Sequence, residues 1–254
     1  MRMANDSQIP DVLKGLGKPL QVHPPGSLSG RTGYFIVAAV LVVVSGLSLI
    51  GVVNPPANNP PPPVVVISVM CGTAVASVVF FVLGILSKSY TLILYPDALA
   101  RTGGGAPEIF RWNDVREVYT DAGPLESKCR LVTQDGRKLQ IDSSVKDSNK
   151  LVETVQQTLF DRMMPAALEA FGQGRTMTFG PLEFDQNYLH YKDKHLAWNE
   201  VAKMTLLYNP YTRAIQFEVK AAGSALPWCS VKAQDIPNVD IFRALVARRQ
   251  PFTE

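Results

Sequence analysis

Two long apolar runs, residues 34–53 and 64–86, constrain this chain more than any other feature of its sequence. They are 20 and 23 residues long and contain no Asp, Glu, Lys, Arg or His. A helix rises about 1.5 Å per residue and the hydrocarbon core of a bilayer is about 30 Å thick, so each run is long enough to cross it. The ten intervening residues, 54–63, are rich in proline and predict a tight exterior turn. The sequence therefore predicts a two-pass membrane hairpin that carries a larger domain.

The lysines and arginines beside these runs predict an orientation. Four precede the first run, the proline-rich turn has none, and Lys88, Arg101 and Arg111 follow the second run. Such an excess of positive charge is typical of the cytoplasmic side of a membrane. We therefore expect a multi-pass protein of the cell (inner) membrane, integral to the lipid bilayer, with both termini in the cytoplasm. In that reducing compartment the three cysteines are expected to stay free thiols.

Small residues on one face of the second run predict how the two runs pack. Ser68, Gly72 and Ala76 are spaced by four residues, a pattern that allows membrane helices to approach closely. We expect this face to pack against the first run of the same chain. Dimerisation through the same face, which would give a homo-oligomer, is the alternative.

From residue 89 onward the sequence changes to short segments of alternating hydrophobicity, which predict β-strands. Asp135 and Gly136 lie between two such segments and indicate a type I′ hairpin. An amphipathic helix follows these strands. Pro165 is expected to kink or end that helix, because proline cannot donate a backbone hydrogen bond inside a helix.

The pattern of strands followed by a helix then occurs a second time. Residues 110–115 match residues 196–201 at an offset of 86, and residues 97–99 match residues 187–189 at an offset of 90. Such self-similarity indicates two tandem modules. The predicted order is a disordered cytoplasmic N-terminal segment (1–33), a first transmembrane helix (34–53), an exterior turn (54–63), a second transmembrane helix (64–86) and two modules (89–172 and 174–254).

A strand meander closed by one amphipathic helix, with Trp112 and Trp198 opening equivalent strands, resembles the pleckstrin-homology-like (PH-like) fold. Together with the apolar hairpin, it resembles the bacterial PH-like membrane proteins, many of which are uncharacterised. The resemblance implies a membrane α-helical hairpin plus an α+β part with two tandem PH-like β-barrel or sandwich modules, each closed by a C-terminal helix. It implies no catalytic residues, and Trp112 and Trp198 are expected in the cores of their own modules.

Two histidines form the most conspicuous polar pair. His190 and His195 flank the Lys192-Asp193 turn, so a tight hairpin places the two imidazoles opposite each other. A structural zinc site needs four protein ligands and a catalytic one needs three. No further ligand stands at a suitable spacing, and only a long-range approach of Cys229 or Asp193 would add one, so we expect ordinary hairpin histidines and no metal. The sequence also has no Gly-x-Ser-x-Gly motif or phosphate-binding loop, so we expect no enzyme and no cofactor.

Charge limits the remaining function classes. Residues 88–254 contain 21 Lys and Arg against 20 Asp and Glu, and this near-neutral balance argues against nucleic-acid binding. We expect a non-catalytic, membrane-tethered scaffold that recruits or organises a protein partner at the cytoplasmic face. The alternative is a module that binds lipid headgroups, and a third possibility is a subunit of an oligomeric membrane conduit.

Overall fold

The computed structural model describes residues 11–26, 30–53, 63–86, 90–103, 105–122, 127–209, 214–250 and 252. Within them the α-helices are α1 (Gly30–Val53), α2 (Pro63–Leu86), α3 (Ser148–Gly172) and α4 (Val239–Val246). The strands are β1 (Gln21–His23), β2 (Thr91–Leu94), β3 (Ala98–Thr102), β4 (Glu108–Arg111), β5 (Val115–Ala122), β6 (Ser127–Thr133), β7 (Lys138–Ile141), β8 (Met177–Phe179), β9 (Leu182–Phe184), β10 (Tyr188–Tyr191), β11 (Lys194–Ala197), β12 (Val201–Asn209), β13 (Ala214–Ala221) and β14 (Cys229–Lys232). The exterior turn predicted over 54–63 lies outside the described residues, except for Pro63, which begins α2.

The strands form four separate antiparallel sheets. The first module has a four-stranded sheet, β1-β2-β3-β4, and a three-stranded sheet, β5-β6-β7. The second module has the same pair, β8-β9-β10-β11 and β12-β13-β14. In each module a 3₁₀ helix, Trp112–Asp114 or Trp198–Glu200, interrupts the chain between the two sheets. The predicted closed barrels are therefore wrong, because the two sheets of a module stay open and are not joined by a strand ladder.

The first module packs both of its sheets against the first half of α3. Leu151, Val155 and Leu159 recur at helical spacing and form one buried stripe on the helix. This stripe meets inward-facing side chains of both sheets, including Leu99 and Leu131. The alternation along each strand thus determines which residues enter the core.

Helix α3 continues through Pro165 and reaches the second module. The sequence predicted that Pro165 would kink or end the helix, but α3 extends to Gly172. Met164 and Leu168 in its second half pack against the core of the second module, and Phe171 is buried there. Burial of these side chains offsets the cost of an internal proline, which is about 3 kcal/mol. The expected boundary between the modules therefore lies at the end of a helix that both modules share.

The two modules have the same hydrogen bonds at both predicted offsets. The backbone N–H of Trp112 donates to the Asp97 carbonyl, and that of Trp198 donates to the Asn187 carbonyl, each at 3.1 Å. Strands β5 and β12 also share a bulge just after their first residue. A residue of the first module can therefore be compared directly with its counterpart in the second.

Strand β1 precedes the two apolar helices in the chain, yet it forms the edge of the first four-stranded sheet. Val22 of β1 lies opposite Ile93 of β2. In the second module the same place belongs to β8, which connects to β9 through the two residues Gly180 and Pro181. Helices α1 and α2 are therefore inserted between the first and second strands of the first module.

The N-terminal segment is ordered over the residues that the structure describes. Asp11–Leu16 form a 3₁₀ helix, and the chain then enters β1. After β1, the Pro24 carbonyl accepts a hydrogen bond from the backbone N–H of Lys146 at 2.9 Å. The prediction of disorder over residues 1–33 is wrong for this stretch, because these backbone groups pair with the first module.

Helices α1 and α2 pack against each other in antiparallel orientation. The hydroxyls of Ser45 and Thr73 are 2.5 Å apart, and the Ser77 hydroxyl donates to the Ala38 carbonyl at 3.2 Å. Gly84 lies against the Phe35 ring, where an added Cβ would come within 3.0 Å of the ring. Polar hydroxyls and one close glycine contact thus hold the pair together.

The prediction of a two-pass, multi-pass membrane protein is wrong, because the two apolar segments are not both long enough to cross a membrane. Among the described residues one segment, Ser68–Ile85, is long and apolar enough to cross a membrane. Among the described side chains of α1 the apolar part, Gly33–Leu47, is shorter than this segment of α2. The predicted location in the inner membrane, with two crossings and both termini in the cytoplasm, is therefore not supported.

The two modules meet at a seam where Asn238 binds the edge of β5. The Asn238 side chain accepts a hydrogen bond from the Val118 N–H at 3.0 Å and donates to the Arg116 carbonyl at 3.1 Å. The Asn238 N–H also donates to the Val118 carbonyl at 2.7 Å. Nearby, the Gln156 amide of α3 donates to the Thr120 hydroxyl at 3.0 Å. The second module thereby covers part of an edge that the first module would otherwise leave open.

Candidate functional site

The outer face of the first four-stranded sheet is covered by the chain itself. Ile93, Tyr95, Ala98 and Ala100 point away from the module core and form a small separate cluster. Leu13 of the N-terminal 3₁₀ helix packs on this cluster and has no exposed surface. The sheet is therefore buried on both sides where this helix lies.

The equivalent face of the second four-stranded sheet is open. The register places Glu183, Asp185, Tyr188 and His190 where the first sheet has the apolar cluster, at an offset of 90. Glu183 is exposed, and Tyr188 keeps 41% of its surface accessible. Polar and aromatic side chains here replace the apolar ones that a covering segment needs.

Helix α3 explains why no described segment covers this face of the second module. Because β1 corresponds to β8, the residues that correspond to Asp11–Leu16 are 167–172. In the second module these residues belong to the end of α3, which packs into the core instead. The same stretch of the repeat thus covers the outer face in one module and extends the shared helix in the other.

The open face carries a compact group of rings. The predicted pairing across the hairpin is confirmed, since His190 lies opposite His195 in β10 and β11. Their ring centroids are 6.4 Å apart. The Tyr188 ring lies 6.1 Å from that of His190 and is perpendicular to that of His195 at 5.7 Å. Three rings therefore form one wall on the surface, which we call the ring wall (Tyr188, His190 and His195).

Asp185 lies at the edge of the ring wall and is held by its own turn. Its carboxylate accepts the backbone N–H groups of Asn187 at 2.6 Å and Tyr188 at 2.9 Å, and it lies 3.6 Å from His190 Nε2. Burial acts to raise the pKa of the Asp185 carboxyl, but the two N–H groups and the His190 imidazole outweigh it. The pKa of Asp185 therefore lies below its ordinary value, and the group is a carboxylate at neutral pH.

The other residues singled out from the sequence lie away from this face. Trp112 is buried in the first core, and its Nε1–H donates to the Pro96 carbonyl at 3.0 Å. Trp198 makes a similar bond, to the Asp185 carbonyl at 3.0 Å, but is half-buried at the edge of the second core. The indole of Trp198 thus binds the backbone of the turn that carries Asp185.

The small residues of α2 do not form its contact with α1 in the way that their spacing predicts. Ser68 and Gly72 are exposed, and nothing lies within 4 Å of a Cβ added to Gly72. Ala76 is half-buried, whereas the polar contacts to α1 come from Thr73 and Ser77. Whether the exposed small residues contact another chain stays a prediction.

The described residues contain no group of three or more His, Cys, Asp or Glu side chains that could hold a metal ion. Two clefts of the described chain lie along the seam between the modules. One of about 110 Å³ is lined by Thr120, Gln156 and Asp240, among others. Another of about 240 Å³ lies beside Tyr119 and Arg130. Because these clefts follow the packing of the two modules, the open face with its ring wall is the stronger candidate site.

Sequence reasoning found the two histidines but missed their neighbours. Glu183, Asp185 and Tyr188 stand out where the two equivalent sheet faces differ. The sequence contains the signal for these residues, since the offset of 90 aligns Asp185 with Tyr95 and Tyr188 with Ala98. A change from apolar to polar at equivalent outward positions marks a face that is covered in one copy and open in the other.

These features define a tandem-repeat α+β protein with an inserted pair of apolar helices and one uncovered sheet face. The chain belongs to a family of unknown function, DUF6585, whose model matches residues 3–251. No curated protein matches the sequence. Membership of this family carries no information on a PH-like relationship, so that resemblance stays a prediction.

Proposed function

We propose that this chain is a non-catalytic binding protein, tethered to a membrane by its apolar helices, that recruits a protein partner through the outer face of the second four-stranded sheet. The observation that carries this proposal is the difference between two equivalent faces. One is covered by Leu13 and its neighbours, whereas the other exposes the ring wall. A sheet face that is covered in one repeat and open in the next is suited to a segment from another chain.

The apolar helices support the tether. Large apolar side chains such as Val42, Val43 and Val78 are exposed on α1 and α2. Exposed apolar surface of this extent is typical of contact with a lipid bilayer or another protein. Since α1 and α2 begin and end within the first module, a membrane that holds them also holds the repeat close to its surface.

Charge favours a protein partner over a lipid headgroup. The outward strand positions of β8–β11 in the described chain carry Glu183 but no Lys or Arg. Most recognised lipid headgroups are anionic, and basic clusters bind them. A face that contributes carboxylates would repel such headgroups.

A photo-crosslinking amino acid at Tyr188 of the full chain tests this proposal in membranes of cells that produce it. We expect a discrete protein adduct at this position, and none from the same crosslinker at Leu226, which is more accessible but lies on a loop of the same module. The adduct should weaken when His190 and His195 are both replaced by Ala. Adducts to lipid alone, or equal protein adducts at both positions, would refute the proposal.

A further inference from the structure

The charges of the open face restrict what its partner can present. Besides Glu183 the face includes Asp185, which the surrounding N–H groups keep ionised. Lys194 alternates with His195 along β11 and therefore points to the opposite side of the sheet. Lys192 in the hairpin turn lies over the Tyr191 ring, which is also on that opposite side. The face is thus acidic as well as aromatic.

The register places both carboxylates along one side of the rings, in β9 and the turn that follows it. Glu183 lies opposite His190 in the pairing of β9 with β10, and Asp185 lies 3.6 Å from the same imidazole. The Tyr188 ring flanks both histidines. An incoming group therefore meets an aromatic surface and a carboxylate at the same time.

We propose, on the basis of the function proposed above, that the partner segment carries an arginine whose guanidinium stacks on the ring wall and pairs with Glu183. A guanidinium is planar and delocalised, so it stacks on rings and also donates two parallel hydrogen bonds to one carboxylate. A lysine ammonium is a compact, strongly hydrated charge that cannot do both in one geometry. The face therefore selects arginine over lysine.

Binding of short labelled peptides to the full chain in mild detergent tests this selection. The probes are a fluorescein-labelled peptide of three Gly-Arg repeats and its Gly-Lys counterpart, which carry equal charge. We expect the arginine peptide to bind at least about threefold more tightly by fluorescence anisotropy, since the lysine peptide loses the stacking and the paired hydrogen bonds.

Two substitutions then locate the binding. Glu183→Gln should weaken binding of the arginine peptide by about three- to tenfold, because it removes the carboxylate without changing size. Tyr188→Leu should reduce the difference between the two peptides, because it removes the ring. The matched control is Glu153→Gln, a change of another exposed carboxylate on α3, which should leave binding within about twofold.

The proposal fails if no binding is measurable, if both peptides bind equally, or if Glu183→Gln binds like the unsubstituted chain. A failure here is distinct from failure of the proposed function. If a protein adduct still forms at Tyr188 while the peptides show no preference, the face binds a partner of different chemistry. If neither is seen, the open face is not the binding surface.

Discussion

Replacing Asn238 tests how the two modules are held together. Asn238 has a positive φ of 51°, which glycine adopts freely and which Asn tolerates better than most residues. Asn238→Gly therefore keeps the backbone conformation and its N–H bond to Val118, and removes only the side-chain bonds to Val118 and Arg116. The substitution isolates the contribution of one amide group to the seam.

The expected loss follows from the two bonds. A hydrogen bond between neutral groups contributes about 0.5–1.5 kcal/mol to stability, so losing two costs about 1–3 kcal/mol. Val118 is only 6% exposed, so its N–H has little access to water when Asn238 no longer accepts from it. Asn238→Ala should cost roughly 1 kcal/mol more than Asn238→Gly, because a side chain with a Cβ is disfavoured at positive φ.

Amide hydrogen exchange of the Val118 N–H is the most direct assay. A loss of about 1–3 kcal/mol corresponds to about 5- to 150-fold faster exchange if the seam opens before the modules unfold. Asp147→Gly is the matched control, because Asp147 stands at the same place before α3, has a φ of 58° and makes no capping hydrogen bond. If Asn238→Gly and Asp147→Gly change exchange equally, the side-chain bonds do not hold the seam.

Three further results are expected. Trp112→Ala should lower the free energy of unfolding by about 3–5 kcal/mol and Trp198→Ala by about 1–3 kcal/mol, because only Trp112 is fully buried, and urea titration of the full chain in detergent measures both. The Cys129 and Cys229 thiols should resist alkylation in the native chain at pH 8, because burial raises the pKa of each to about 12; rapid modification followed by mass spectrometry would contradict this. The stability that Asp185 contributes should be full above its ordinary pKa and lost as pH falls through its lowered value, so Asp185→Asn should flatten the acid side of a stability–pH curve; an unchanged acid limb would contradict this.

Most strands of both modules and the helix that follows each set could be predicted from the sequence, because alternation and helical spacing are local patterns. The pairing of His190 with His195 was predictable for the same reason, since a tight turn fixes which residues lie opposite each other. The turns between strands could also be predicted, because the residue types that favour turns are visible in the sequence.

Features that depend on distant parts of the chain could not be predicted. Strand β1 is only three residues long, too short for its alternation to be recognised, and its partner β2 follows two complete helices. The continuation of α3 through Pro165 depends on a second core that receives its far half. The sequence gives no sign of the role of Asn238, because an Asn just before a short helix is typical of an N-cap residue and nothing local points to a strand of another module.

The site of insertion makes the two apolar helices a removable unit. In β1 and β2 His23 lies opposite Leu92, just as Phe179 lies opposite Leu182 where Gly180 and Pro181 suffice to connect two strands. Surface turns are the places where natural chains accept and lose insertions most readily. A shortened chain in which Gly-Pro replaces residues 24–91 should therefore still form both modules. The open face could then be studied on a protein that lacks the two apolar helices.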